Sequence, residues 1–540
     1  MTPSAEPLTP ATFVAAHERE LRDLVVGSHH AYWEAATTGS EEASEVSARL
    51  RARAKKLYAR RDDAGRVRGW LAEGAVEDPL VRRQLVLMDL EYRGNDFSSE
   101  TIDDISRREA ELERTFVSFR AELDGEQASD NALRDVLRHE RDPGRRRRAW
   151  EASKTIGSRV HDRLIELVRV RNDAARAAGY RDHYQMGLAL QEQDEEQLFG
   201  ILSDFKERSE TAYRELLSRI EKAQAERFGV DRSELRPWHW EDFFGQEAPS
   251  FTDLDLDRFF AEGVDQVRLA AEFLNGIGLP ADDLLERSDL FEREGKSQHA
   301  FCLDMDREGD VRILCNLRPT EHWTMVLLHE LGHAVYDKFI PRSLPFLLRT
   351  PAHTFSTEAI AMYMGRLTRN PAWLREVAGA EISEDEAADA REQLRAKMLV
   401  NARWMLVMAH FERALYRDPE RKDLNRLWWD LVEEMQGIRR PDERDEPDWA
   451  AKIHFSMAPV YYHNYLLGEL MASQLSSHID REVRGGSDGR SIAGDARVGE
   501  YLRERVFAPG ATLDWNRLLV YATGEGLDPR FFVEEFVGND

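Results

Sequence analysis

Apolar residues recur every three to four positions along most of the chain, broken by short Gly, Pro and Asp punctuation, and strict alternation is rare. That period predicts a mainly α-helical protein, with helices over roughly 11–38, 42–62, 101–124, 146–178 and 194–227. A further long helix is expected to start at a capping box, Ser383 with Glu386, and to run to about Tyr416, ahead of Pro419. One stretch departs from the pattern. Between His299 and Leu317, two short β-type runs flank Arg307-Glu308-Gly309-Asp310 and predict a β-hairpin. No repeat at a fixed period is visible, and the run Arg145 to Arg148 reads as a solvated helix face.

Composition narrows the class. A chain of 540 residues admits three or four domains, or one large two-lobed unit. With 42% hydrophobic and 33% charged residues it reads as soluble and globular, neither collagen-like nor disordered. The net charge of −26 argues against nucleic acid or an anionic membrane surface as partner. Two cysteines, Cys302 and Cys315, cannot build a disulfide framework and are expected to be free thiols. The start, Met1-Thr2-Pro3-Ser4-Ala5-Glu6, soon becomes charged and lacks the apolar core of a signal peptide. No apolar run approaches the ~20 residues of a membrane span. A cytoplasmic location with no membrane insertion is the expectation.

The chemistry concentrates in His329-Glu330-Leu331-Gly332-His333. On a helix, residues four apart stand one above the other, so His329 and His333 are spaced to share one metal ion. Glu330, beside them, is placed to act as a general base rather than a ligand. Chance would supply fewer than about 0.1 such matches in a chain of this composition. The alternative is a pair of core histidines satisfied by backbone carbonyls. A catalytic zinc needs a third protein ligand, and Glu358, 25 residues after His333 in Thr354-Phe355-Ser356-Thr357-Glu358, is the candidate. A carboxylate in a helix's first turn is also electrostatically comfortable without any metal.

This motif with its downstream Glu resembles the zinc signature of the thimet oligopeptidase and oligoendopeptidase F family, and is similar to the angiotensin-converting enzyme family. The likeness extends to Leu235-Arg236-Pro237-Trp238, Phe243-Phe244, Glu247-Ala248-Pro249, Asn172-Asp173-Ala174-Ala175, Gly179-Tyr180-Arg181-Asp182 and Leu188 to Gln191, and so covers most of residues 130–540. It implies a two-lobed helical metallopeptidase with a deep central channel and a small β-hairpin beside the zinc helix. Residues 1–240 would form a helical, lid-forming subdomain and 241–540 the zinc-binding catalytic one, packed as one unit. One Zn2+ per chain would be held by His329, His333 and Glu358.

The segment Lys452-Ile453-His454 through Pro459-Val460-Tyr461-Tyr462-His463-Asn464-Tyr465 is similar to the converting-enzyme segment that completes the active site. Carried over, Lys452 would grip a substrate C-terminal carboxylate and His454 would bond the peptide backbone. Tyr462 and Tyr465 would take the two tyrosine positions, with the oxyanion donor open among Tyr461, Tyr462 and Tyr465. His299 and Ala300 resemble the strand that pairs with an extended substrate. A chloride-binding Arg would fall at Asn464, so no comparable halide activation is expected. The acidic residue that supports a zinc histidine would fall at Met362, so that support must be built otherwise, with Asp337 a candidate.

The implied activity is zinc-dependent hydrolysis of short peptides, as a peptidyl-dipeptidase or an oligopeptidase. Zinc would lower the pKa of a bound water toward ~7 and Glu330 would take its proton. Short peptides are the expected partners, with no nucleic acid. The rival is a catalytically idle, helical peptide-binding or scaffold protein.

Overall fold

The computed structural model describes residues 8–538 apart from Ala75, Asp253, Glu262, Ser487 and Asp488. The opening Met1 to Glu6, read above for signal character, lies outside the described residues. The helical period holds. In chain order the first elements are α1 (Pro10–Thr38), α2 (Glu41–Leu57), α3 (Arg61–Glu73), α4 (Pro79–Gly94), α5 (Ser99–Ser118), β1 (Ala121–Leu123), β2 (Glu126–Ala128), α6 (Asp130–His139) and α7 (Pro143–Ala177). Next come α8 (His183–Leu190), α9 (Glu195–Phe228), α10 (Gln266–Gly276), α11 (Asp282–Arg287), β3 (Phe301–Asp304) and β4 (Val311–Leu314). They are followed by α12 (Glu321–Phe339), α13 (Thr354–Gly365), α14 (Pro371–Glu376), α15 (Glu384–Arg417), α16 (Leu424–Gln436), α17 (His454–Met457) and α18 (His463–His478). Short helices complete the chain.

Local chemistry explains the boundaries. Ser383 and Glu386 exchange the reciprocal hydrogen bonds of a capping box at the start of α15. Two expected helices stop early. The one expected over 42–62 ends at Leu57, and α3 begins anew at Arg61. The one expected over 101–124 ends at Ser118, because Asp124 and Gly125 both take positive φ (55° and 88°) and turn a small antiparallel hairpin, β1 with β2.

The chain forms two compact units. The first comprises Met1–Asp96, Asp255–Arg391 and Gly468–Asp528. Its N-terminal helices close on an apolar cluster that includes Leu21, Leu24, Val67, Leu85 and Met88. Its small sheet pairs β3 with β4 antiparallel, Phe301 opposite Leu314 and Asp304 opposite Val311. β4 is the inner strand: on its far side Asp289 donates to the Ile313 carbonyl at 3.0 Å and accepts from Cys315 at 2.9 Å. β3 is therefore the outer strand of this hairpin. Cys302 and Cys315, on its two arms, are free thiols.

The second unit comprises Phe97–Leu254, Glu392–Leu467 and Pro529–Asp540. Its core is built around long helices α7 and α9, with Trp150, Trp404 and Trp449 fully buried.

Candidate metal centre

α12 opens at Thr320, whose hydroxyl accepts from the Trp323 amide, and lies directly against α13. The approach is close. A Cβ on Gly332 would meet the Ala361 Cα at 2.6 Å, so the glycine inside the histidine motif is what lets the two helix backbones come together. That contact brings Glu358, in the first part of α13, to the two α12 histidines. Glu358 Oε2 lies 3.6 Å from His329 Nε2 and 3.8 Å from His333 Nε2, and one ligand atom from each residue falls within a 4.8 Å group.

These residues suit a zinc ion. Ligands at about 2.0–2.2 Å in a tetrahedron place their atoms roughly 3.3–3.6 Å apart, close to the spacings present. Burial, with His329 adding, holds the His333 imidazolium pKa down to about 3, so the ring is neutral and its lone pair is available. Burial, with Glu469 adding, raises the Glu358 carboxyl to about 7, and a dication beside it would favour the carboxylate instead.

Glu330 is buried on the same helix. Its carboxyl is raised to about 8 by burial and then by the charge of Glu358, against a hydrogen bond from the backbone of Cys302 on β3. The hairpin thus helps to hold the candidate base. His299 and Ala300 sit immediately before β3 rather than within it, His299 exposed and Ala300 half-buried.

Sequence reading missed Thr357. His333 Nδ1 and Thr357 Oγ1 are hydrogen-bonded at 2.7 Å while Nε2 faces the ligand cluster, so a hydroxyl provides the support for which Met362 is unsuited. Asp337 is set elsewhere, against Asp304 and Arg307, with burial keeping its carboxyl well above the usual range.

In the second unit, the Lys452 to Tyr465 segment gathers its own cluster. The His454 and Tyr462 rings lie 5.0 Å apart, Tyr462 and Tyr465 5.2 Å, and Tyr461 and Tyr465 5.3 Å. The Tyr462 hydroxyl accepts from Trp404 Nε1 at 2.6 Å. Lys452 Nζ donates to Gln246 Oε1 at 2.9 Å, a partner 206 residues away that no local pattern announced. Val460 holds φ 54°, strained for a β-branched residue, and the buried Glu412 accepts from its amide at 2.8 Å. Asn464 is tied into a chain of neutral amides, accepting from Gln193 at 2.9 Å and donating to Gln191 at 2.7 Å.

Two family models match. The one described as Peptidase family M3 matches residues 286–537, which include α12, α13 and the Lys452 to Tyr465 segment. The one described as Angiotensin-converting enzyme matches residues 6–229. The chain is an M3/angiotensin-converting-enzyme-like metallopeptidase.

Relatives agree with that assignment. The angiotensin-converting enzyme of Haematobia irritans exigua is 24% identical over 438 residues, 73% of this chain and 70% of that protein. Thermostable carboxypeptidase 1 of Pyrococcus furiosus is 30% identical over 113 residues, 21% of this chain and 22% of that protein. Both families are zinc-dependent in general, and such peptidases act on peptides. Among the described residues of this metallopeptidase, no helix is long and apolar enough to cross a membrane.

Proposed function

We propose that the protein is a zinc-dependent hydrolase of short peptides that recognises a free C-terminus, acting as a peptidyl-dipeptidase or carboxypeptidase. The observation that carries the reading is the convergence of His329, His333 and Glu358 beside a buried Glu330. Zinc held by those three side chains would supply a Lewis acid for amide hydrolysis.

The chain's own residues do the rest. Glu330, restrained by the Cys302 backbone, takes a proton from the attacking water and returns it to the leaving amine. Thr357 keeps the His333 ring in the tautomer that presents Nε2. Tyr465 and Tyr462 are the candidate oxyanion donors, Tyr462 keeping its own O–H to donate because its oxygen accepts from Trp404 Nε1, and His454 supports the substrate backbone. Lys452, paired with the neutral Gln246 rather than a carboxylate, is the anchor for the terminal carboxylate. His299 and Ala300 contribute backbone contacts to an extended substrate. The free thiols accord with a cytoplasmic location.

An oligoendopeptidase habit differs at one point, the need for a free C-terminus. A peptide and its C-terminal amide, compared by product mass spectrometry, distinguish the two: equal cleavage of both removes the Lys452 anchor. Glu330→Gln should keep one zinc per chain and lose about 10²–10⁴-fold in turnover, and chelation should abolish wild-type turnover until zinc is restored. Full activity in Glu330→Gln would remove the mechanism. A zinc-loaded wild type that cuts no peptide would leave the scaffold reading in place.

A further inference from the structure

The second unit holds another buried lysine beside the anchor. Lys154, on α7, is 3% exposed, and its Nζ sits 3.3 Å above the centroid of the Phe244 ring. Lys452 Nζ lies 5.2 Å from the same centroid. Two ammonium groups therefore share one aromatic ring.

The chain brings them together by a close approach. Gly157 is one helical turn beyond Lys154 on the same face of α7, and a Cβ there would meet the Pro447 carbonyl at 2.4 Å. The missing side chain lets the turn that leads into Lys452 lie against α7. Lys154 and Lys452 are thus neighbours by construction of the backbone.

Among the described residues, neither lysine forms an ion pair, and Lys154 has no hydrogen-bond acceptor. The nearby carboxylates, Asp242 and Asp448, act on the lysines through charge alone and spend their hydrogen bonds on other groups. Asp242 accepts from the amides of Phe244, Gln246 and Glu247 at 2.8, 3.2 and 3.0 Å. Asp448 is held by Arg444 at 2.7 Å and by Trp429 Nε1 at 3.2 Å. Burial pulls Lys154 down to about 7 and Lys452 to about 8, against the opposing charges of Asp448 and Asp242 on Lys154 and of Asp242 on Lys452. A buried cation without a pair is costly, and a ring face offsets only part of that cost. Such a pair is a receptor for anions.

Lys452 with Gln246 already accounts for one carboxylate in the function proposed above, on which this step rests. We infer that Lys154 takes a second one, so that the site selects peptides whose C-terminal residue is aspartate or glutamate, the α-carboxylate on Lys452 and the side-chain carboxylate on Lys154. The distinguishing chemistry is a dicarboxylate terminus. A terminal Gln or Asn, of the same shape, offers the Lys154 ammonium an amide oxygen but no opposite charge.

The test uses the zinc-loaded enzyme and two peptides that differ only in a final Glu or Gln. The expected kcat/KM ratio, Glu over Gln, is about tenfold or more, the discrimination of one charged hydrogen bond. In Lys154→Met the ratio should collapse to within about threefold, whereas general damage to the fold lowers both peptides together and leaves the ratio intact. A wild-type ratio near one overturns the inference, as does a ratio that survives Lys154→Met. If neither peptide is cut, the hydrolase reading fails separately. Equilibrium binding of the same two peptides to Glu330→Gln then decides the inference, with tighter binding of the Glu peptide supporting it and equal binding overturning it.

Discussion

Gly332→Ala is the sharpest probe of how the metal centre is built. The added Cβ would stand 2.6 Å from the Ala361 Cα, 3.0 Å from the Ala361 amide nitrogen and 3.1 Å from the Ile360 carbonyl oxygen. All three are backbone atoms of α13, so no side chain can swing aside. Relief requires the helices to part by roughly 0.8 Å, the difference between 2.6 Å and the 3.4 Å at which ordinary contact begins. Glu358 rides on α13, and metal–ligand distances tolerate only about 0.2 Å. We expect the zinc dissociation constant, measured by competition with a chelator, to rise tenfold or more. Thermal stability should also fall, since overpacking typically costs about 1–3 kcal/mol. Gly65→Ala is the control. It lies in α3 with nothing within 4 Å of an added Cβ, and should be neutral or slightly stabilising. A Gly332→Ala protein that binds zinc within about twofold of wild type would refute the claim that helix approach sets the ligand geometry.

Thr357→Val removes the His333 Nδ1 partner and should weaken zinc binding by about 10–100-fold, with Thr357→Ser restoring most of it in the same chelator competition. Lys452→Met should raise KM for free-acid peptides far more than it lowers kcat, while leaving their amides little affected; equal losses on both would contradict the anchor. The Glu412 carboxyl is raised to about 8 by burial, so between pH 4.5 and 8 the folded state holds a proton that the unfolded chain releases. Its contribution to stability therefore falls as pH rises through that window, on the order of 1 kcal/mol per pH unit, and levels off above it. Glu412→Gln keeps an acceptor for the Val460 amide and should flatten that part of the pH–stability curve in denaturant titrations. An unchanged slope would show that Glu412 is ionised throughout.

Much of the helical architecture was legible because it depends on local periodicity and capping. The box at Ser383 and Glu386 marks the start of α15, and the arms of the β3–β4 hairpin fall where alternation replaces the helical period. The β1–β2 hairpin was not read, although Asp124-Gly125 is a turn signal, because its strands are only three residues long. Of the candidate centre, the two histidines and the base announce themselves, since one helical turn sets their spacing. Thr357 stands next to a proposed ligand yet gives no sign of which way its hydroxyl points.

By itself, then, the amino-acid sequence determined the helical class, the i, i+4 pair on α12 and the presence of a carboxylate downstream. These follow from rises and rotations repeated along one segment. Only the tertiary structure decided that Glu358 reaches both histidines, that Thr357 takes His333, and that Lys154 and Lys452 share the Phe244 ring. Each of those depends on two backbones meeting where a glycine has no side chain or where a loop 200 residues away turns inward. Such meetings are fixed by packing across the core, and packing is a property of all the neighbours at once.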